Sequence, residues 1–402
     1  MVDVVVVGAG PAGTVAATVL ARAGVRVRLF DRAVFPRDKL CGDTINPGTI
    51  ACLRRLRLDS GLDARALRVD GMRVTGESGL VIDGRYPRGQ SGRAILRRDL
   101  DWMLLQHATA AGCQFDSAVA VRRAMVEDER GAPRVTGIVV GANGHEHEVS
   151  APVVIAADGR HSAIAFGLGL ASHPQRPRRW AVGGYFAHVS AQVSDTCQTR
   201  VRHLVSTSGD DGVAILGEMH VRRNSYIGVA PVPGGLTNVC LVRPSRAADP
   251  ALADPATLLT RALASDPLLH DRFADARLVA PPVVLGPLAV DAARPAIDGL
   301  LLAGDAAGFI DPMTGDGLQF AVVGGELAAA SALYVLEHGW NGVHARLAAS
   351  RRRAFASKWR FNRALRALVS SPRAIDVAAV GARLAPGVLR AIVARAGDCH
   401  VA

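Results

Sequence analysis

The chain has 402 residues, 49% hydrophobic and 21% charged. That is the composition of a globular protein with room for two or three domains, not of a disordered or collagenous chain. The net charge of +11 is confined: residues 346–395 hold twelve basic residues against Asp376 alone, which accounts for the whole excess. Nucleic-acid binding would have to live in that segment. No binding motif accompanies the charge there, so nucleic acid is not an expected partner. Only two of the basic residues are lysines, Lys39 and Lys358. No run approaches the roughly 20 unbroken apolar residues of a membrane span. Val4–Val7 is too short for a signal peptide, with Asp3 where a basic region belongs. Six scattered cysteines without a CxxC pair argue against a disulfide scaffold or zinc ribbon and for a reducing cytoplasm.

The first predicted element is Val4–Val7, a β-branched run of the kind buried on both faces of a parallel sheet. It leads into Gly8-Ala-Gly10-Pro11-Ala12-Gly13. A helix is predicted from Ala12 to Ala23, stopping at Gly24, and a second strand from Val25 to Phe30, ending at Asp31. Gly8 permits the turn, Gly10 lets backbone approach a diphosphate, and Gly13 lets helix pack on strand. The helix N-terminus meets phosphate charge, and Asp31 can accept from ribose hydroxyls. Gly8, Gly10, Pro11, Ala12, Gly13, Asp31 and Arg32 are therefore expected to hold a dinucleotide, the alternative being a glycine-rich structural turn. The motif alone does not separate FAD from NAD.

From 176 to 282 the pattern changes to short runs: Trp180–Val189, Thr199–Val205, Gly212–His220, Tyr226–Val229 and Thr237–Val242. Turn signals such as Gly209-Asp-Asp-Gly212 separate them, predicting an antiparallel sheet. Strand and helix return at Leu300–Leu336, and the pattern is helical from 343 onward. On a helical wheel Leu347, Ala354, Phe361, Leu365 and Leu368 share one face, and Arg353, Arg360 and Arg363 another. This predicts an amphipathic helix packed on the body. Peripheral contact with anionic lipid is the alternative use of its charge. His145 and His147 flank Glu146 in a polar stretch without ligand spacing, so no metal is expected.

Four motifs in order carry a family resemblance. Phe35-Pro-Arg-Asp-Lys39-Leu-Cys41-Gly42-Asp43 resembles the P-x-x-K-x-C-G signature of the geranylgeranyl reductase branch of FAD-dependent enzymes. Arg97-x-x-Leu-Asp101 resembles the R-x-x-hydrophobic-D that follows there. Ala157-Asp158-Gly159-Arg160 is similar to the D-G motif of single-component flavin monooxygenases. Gly304-Asp305 with Pro312-Met-Thr-Gly315-Asp-Gly317 resembles the late G-D motif. The resemblance implies the para-hydroxybenzoate hydroxylase fold, an α/β (α+β) architecture. In it a Rossmann-type FAD-binding domain (1–70, 94–175, 283–340) is interrupted by an antiparallel substrate sheet (71–93, 176–282) and followed by a basic helical segment (341–402).

It also implies cofactor contacts from Lys39, Cys41, Arg97, Asp158, Gly159, Gly304, Asp305, Gly315 and Gly317. Cys41, Gly42 and Asp43 are the flavin-proximal candidates. The catalytic group itself is not readable. Asp158 and Asp305 have structural caps as alternatives, Gly315 and Gly317 a simple turn. Cys41 is either a redox thiol or a small residue lining the pocket. One GxGxxG leaves no second nucleotide domain, so NAD(P)H, the expected reductant, is given a transient site on the FAD domain.

The leading expectation is an NAD(P)H-dependent monooxygenase that hydroxylates or epoxidises an apolar, polyketide- or isoprenoid-like substrate. A flavin-dependent reductase of isoprenoid double bonds is the alternative. The reductases' Y-x-W-x-F-P stretch corresponds to Tyr226–Pro231, which lacks the Trp. A halogenase or a membrane-surface flavin-binding protein comes after these: the four Trp never stand two apart, as halogenases require. The substrate is expected between the flavin and the sheet, against some of Val182, Phe186, Leu204, Ile215, Leu216, Ile227 and Val229. Arg200 or Arg202 could take a carboxylate. The protein is expected in the cytoplasm, with peripheral membrane contact as its one extension.

Overall fold

The computed structural model describes residues 2–77, 81–129, 131–142, 145–175, 178–190, 193–194, 201–202, 214–310, 313, 315–369, 391–392 and 394–399. Helices are named α1 (Pro11–Arg22), α2 (Pro47–Arg55), α3 (Arg97–Ala110), α4 (Ala163–Gly167), α5 (Pro255–Ala264), α6 (Gly317–His338) and α7 (Val343–Val369).

Val4–Val7 is fully enclosed at the middle of a six-stranded sheet. Across it the order is Ala296–Ile297, Leu300–Leu302, Val153–Ala156, Val4–Val7, Val27–Phe30 and Gln114–Asp116. The pairings are parallel except at the Ala296–Ile297 edge. Strand alternation divides the core. Val4 and Val6 join the cluster under α1 and α6, and Val5 and Val7 join the cluster on the opposite face. That opposite face is covered by an antiparallel meander of Val121–Glu129, Ala132–Ala142 and His145–Ser150. Sequence pattern did not single out the meander, because only its inner residues, such as Val135, Ile138 and Val140, are apolar and buried while its outer strand is polar.

The second sheet runs Arg277–Leu278, Arg179–Ala187, Leu236–Pro244, Ser225–Val232, Leu216–Arg222, Gly71–Thr75, Val81–Arg85, with Val283–Leu285 beside Arg179–Ala187. It is antiparallel except where Leu216–Arg222 meets Gly71–Thr75 in parallel register. That parallel pairing joins the two chain-distant halves of the sheet. Of the expected run Thr199–Val205, only Val201–Arg202 lies within the described residues, in a short strand. Arg200 and Leu204 lie outside them, as does the side chain of Arg202.

α6 has the length and apolarity of a membrane span, yet it packs inside the protein. A Cβ placed on its Gly325 would lie 2.2 Å from the carbonyl oxygen of Ala12, so α1 and α6 are in backbone contact. α7 follows with a buried stripe different from the predicted one. Leu347, Arg351, Phe355, Lys358 and Asn362 are buried, Ala354 is exposed and Phe361 is half-buried. The expected face runs through apolar residues alone, while the helix turns two cations and an amide inward. The side chains of Leu365, Arg366 and Leu368, and Arg373, Arg383 and Arg390, lie outside the described residues.

Candidate flavin site

A cavity opens where the C-terminal ends of the parallel strands meet the second sheet. At its phosphate end, Gly10, Pro11 and Ala12 form the wall. The glycines there differ in kind. A Cβ on Gly13 would sit 1.8 Å from the carbonyl oxygen of Gly8, so that position is closed by helix–strand contact. A Cβ on Gly10 would find only the Arg37 guanidinium, at 3.8 Å, and otherwise open space. α1 starts at Gly10 without a side-chain cap. Its first N–H groups are thus available to an anion. Asp31 stands at the end of Val27–Phe30 and accepts from the N–H of Ala9 at 2.8 Å and of Ala33 at 2.9 Å. Those bonds lock the turn and leave lone pairs for hydroxyls. Arg32 is exposed beside Arg160.

The two later acids have different surroundings. Asp158 accepts from the N–H of Ala163 at 2.9 Å and so caps α4, with Ser162 capping the same helix at Ala165. Burial raises its carboxyl. Its neighbours Ala157, Gly159 and Arg160 line the cavity. Asp305 lines the cavity with Gly304. Burial raises its carboxyl, opposed by Lys39, Arg97 and Arg160. Burial also lowers the Arg160 guanidinium, whose Nε is buried without a hydrogen-bond partner among the described residues. An orphaned donor on a residue that lines the same cavity as Gly10 is what a bound dinucleotide would satisfy.

The Lys39–Asp43 loop forms the next wall. Burial first, and Arg97 second, push the Lys39 ammonium down to about 8. Arg97 holds Asp101 one helical turn on with two bonds, of 2.9 and 2.8 Å, and Arg37 reaches the same carboxylate at 3.1 Å. This is the physical content of the R-x-x-L-D motif: a buried fork that fixes Arg97, which also interacts with the Cys41 side chain. Asp43 has φ +51° and is fully buried. Tyr185 donates to it at 2.6 Å, and Asn238 donates to it at 2.6 Å and to the carbonyl of Cys41 at 2.8 Å. Cys240 adds a thiol contact to that carbonyl at 3.5 Å. Burial pushes the Asp43 carboxyl up to about 6. Asp43 thus stands behind the cavity wall, where it pins the loop to the second sheet. Cys41 and Gly42 line the cavity itself.

Tyr185, Asn238 and Cys240 were not expected from sequence. Their one signal is Asn238 and Cys240 at alternate positions in an otherwise apolar run.

The substrate face differs from the expected one. Val182, Phe186 and Ile227 turn to the far side of the sheet, where they build a core with Leu259 and Leu263 of α5 and Phe273. Val229 joins that core and also lines the cavity, as expected. Ile215 and Leu216 are half-buried and do not line the cavity. Register puts the alternate residues inward: Tyr226 opposite Val242 and Gly228 opposite Cys240. With Met72, Ala181, Met219, Leu285, Leu288, Phe309 and Met313 they make that face predominantly apolar. A Cβ on Gly228 would find nothing nearer than the Cys240 carbonyl at 3.9 Å, so the cavity is widened at the position the reductase stretch gives to Trp.

At the remaining wall Gly315, with φ +67°, and Gly317 lead into α6 and line the cavity. Pro312 and Thr314 lie outside the described residues. Among the described residues no group of three or more His, Cys, Asp or Glu side chains could hold a metal.

The model of the FAD-binding-domain family matches residues 1–359. Menaquinone reductase of Mycobacterium tuberculosis is 32% identical over 335 residues, covering 81% of this chain and 75% of its own. Digeranylgeranylglycerophospholipid reductase 2 of Methanopyrus kandleri is 29% identical over 342 residues, covering 83% and 78%. The solved structure of the flavin-dependent brominase Bmp2 has the same fold, with a TM-score of 0.80 at 20% identity over 99% of this chain and 94% of that one. With a cavity whose open glycine, orphaned donor and acidic rim suit a bound dinucleotide, the chain belongs to the FAD-binding-domain family and is an FAD-dependent oxidoreductase.

Proposed function

We propose that the protein reduces a carbon–carbon double bond in an isoprenoid chain, with NAD(P)H as the reductant. The observation that carries this is the pairing of an apolar cavity face with proton-bearing groups, Lys39 and Cys41, on the wall beside it. Bound FAD would supply the two-electron chemistry. The chain's own residues have the other tasks. Gly10, Pro11, Ala12 and the start of α1 take the diphosphate, and Asp31 and Asp305 take hydroxyls. Lys39, held near neutrality by burial, gives up a proton at lower cost than an exposed lysine. Met72, Met219 and Tyr226 exclude water and hold the hydrocarbon. The two relatives are named as reductases, and one of those names is of a prenyl lipid.

A second reading is oxygen-dependent hydroxylation or epoxidation of a broad polycyclic substrate. The space at Gly228 favours it, because the cavity is wide there. One experiment separates the two. The protein is reduced without oxygen, mixed with a geranylgeranyl lipid, and the product weighed. A product with two added hydrogens, formed without oxygen, supports the reductase. Turnover that needs oxygen and adds an oxygen atom replaces it with the second reading.

We also propose that the exposed arginines of α7 bring the enzyme to an anionic bilayer, where such a substrate would reside.

A further inference from the structure

We infer that Lys358 is a positioning residue for the bound FAD, tying the C-terminal segment to the cavity end of α6. Lys358 is 3% exposed, which is uncommon for a lysine. Its Nζ lies 3.0 Å from Asp316 and 2.8 Å from Asp398, and donates to the carbonyls of Arg395 at 3.0 Å and Ala396 at 2.7 Å. Asp316 stands between Gly315 and Gly317, both of which line the cavity, and is itself 1% exposed. Asn46, which caps α2 at the end of the Lys39–Ile45 loop, donates to Asp316 at 3.3 Å, and Asn362 of α7 donates at 3.0 Å.

The C-terminal segment is anchored a second time. The N–H of Gly48 donates to the carbonyl of Gly397 at 2.9 Å, and Gln90 donates to that of Cys399 at 2.9 Å. A Cβ on Gly48 would lie 2.5 Å from the Cβ of Asp398, so only glycine allows this approach. Residues 395–399 therefore touch the supports of both loops that wall the cavity.

The arrangement has a definite electrostatic sign. Alone, Asp316 would set a buried negative charge at the helix end facing the cavity, against the positive end of α6. Lys358 neutralises it, and Asp398, which does not line the cavity, gives back one negative charge. Reduction adds negative charge to bound FAD, so local positive charge favours the reduced form. The inference rests on FAD binding and is independent of the substrate.

The test uses the full-length FAD-loaded protein. Its readouts are the flavin reduction potential, by equilibration with reference dyes, and FAD release, by fluorescence. Lys358→Met is expected to lower the potential and loosen FAD, since it leaves Asp316 and Asp398 buried without their cation. Asp398→Asn keeps the Lys358–Asp316 pair, removes one negative charge, and is expected to raise the potential above wild type. Shifts of opposite sign support the inference. Two shifts of the same sign, or none, overturn it, because a purely mechanical bolt would loosen FAD in both variants without opposite potentials. Where Lys358→Met yields no folded holoprotein, Asp398→Asn decides alone: a raised potential supports the inference, and an unchanged or lowered one overturns it.

Discussion

Gly10 and Gly13 stand three residues apart in one motif, yet they should fail in different ways. A side chain at Gly10 enters open space, so Gly10→Val should leave the FAD-free protein about as stable as wild type while removing bound flavin. Gly13→Ala places its methyl 1.8 Å from the Gly8 oxygen and should destabilise the protein with or without FAD. Clashes of that kind cost on the order of 1–3 kcal/mol or more. The flavin-to-protein absorbance ratio and melting of FAD-free protein decide. A Gly10→Val variant that purifies with full flavin refutes the diphosphate assignment. Both residues were legible in the sequence because the turn between strand and helix is encoded locally. The same is true of Gly304-Asp305, at the end of the apolar strand Leu300–Leu302. Asp158 was legible as a motif but not in role, because a cap and a cofactor ligand look alike until the helix it caps is seen.

At the scale of elements, the loop Lys39–Asp43 is held by a sheet strand nearly two hundred residues away, through Asn238. No local pattern reveals such a contact. It depends on register, which sends Val182 and Ile227 outward and Asn238 inward. The anchor has a pH signature. Asp43 is raised from 3.8 to about 6 in the folded protein. The folded state therefore holds this proton more tightly than the unfolded chain does. The resulting stabilisation is complete below about pH 4 and is lost as pH rises through about 6, on the order of 3 kcal/mol at most. Asp43→Asn stays neutral, tolerates the positive φ, and can still accept from Tyr185 and Asn238 through its carbonyl. Its stability relative to wild type should thus climb between pH 4 and 7 in urea titrations. Parallel curves would show that Asp43 carries no raised carboxyl. The phase of α7 escapes the sequence pattern for a related reason: hydrophobic periodicity cannot register a buried Lys358 whose partners come from elsewhere in the chain.

For the whole molecule, the charge map and the cavity bear on each other. The excess of +11 lies in residues 346–395, and within α7 the exposed positions include Arg353, Arg360 and Arg363 on one face. Lys358 and Arg351 face inward and are withdrawn from that surface. The half-buried Trp359 and Phe361 flank the arginines, the combination of aromatic and basic groups found at bilayer interfaces. Each arginine near an anionic bilayer contributes about 1 kcal/mol, screened within a Debye length of roughly 8 Å at physiological salt. Replacing Arg353, Arg360 and Arg363 by Gln should therefore weaken binding to phosphatidylglycerol vesicles by about a hundredfold. Binding to phosphatidylcholine vesicles should be weak for both proteins. Co-sedimentation at low and high salt measures this, with duplex DNA as the competitor. Equal binding to neutral and anionic vesicles, or preferential capture by DNA, would remove the bilayer from the account. Because these arginines lie on the side of α7 turned away from the cavity residues, flavin content and reduction potential should not change in the triple variant. A loss of vesicle binding with the flavin intact would thus belong to the surface alone.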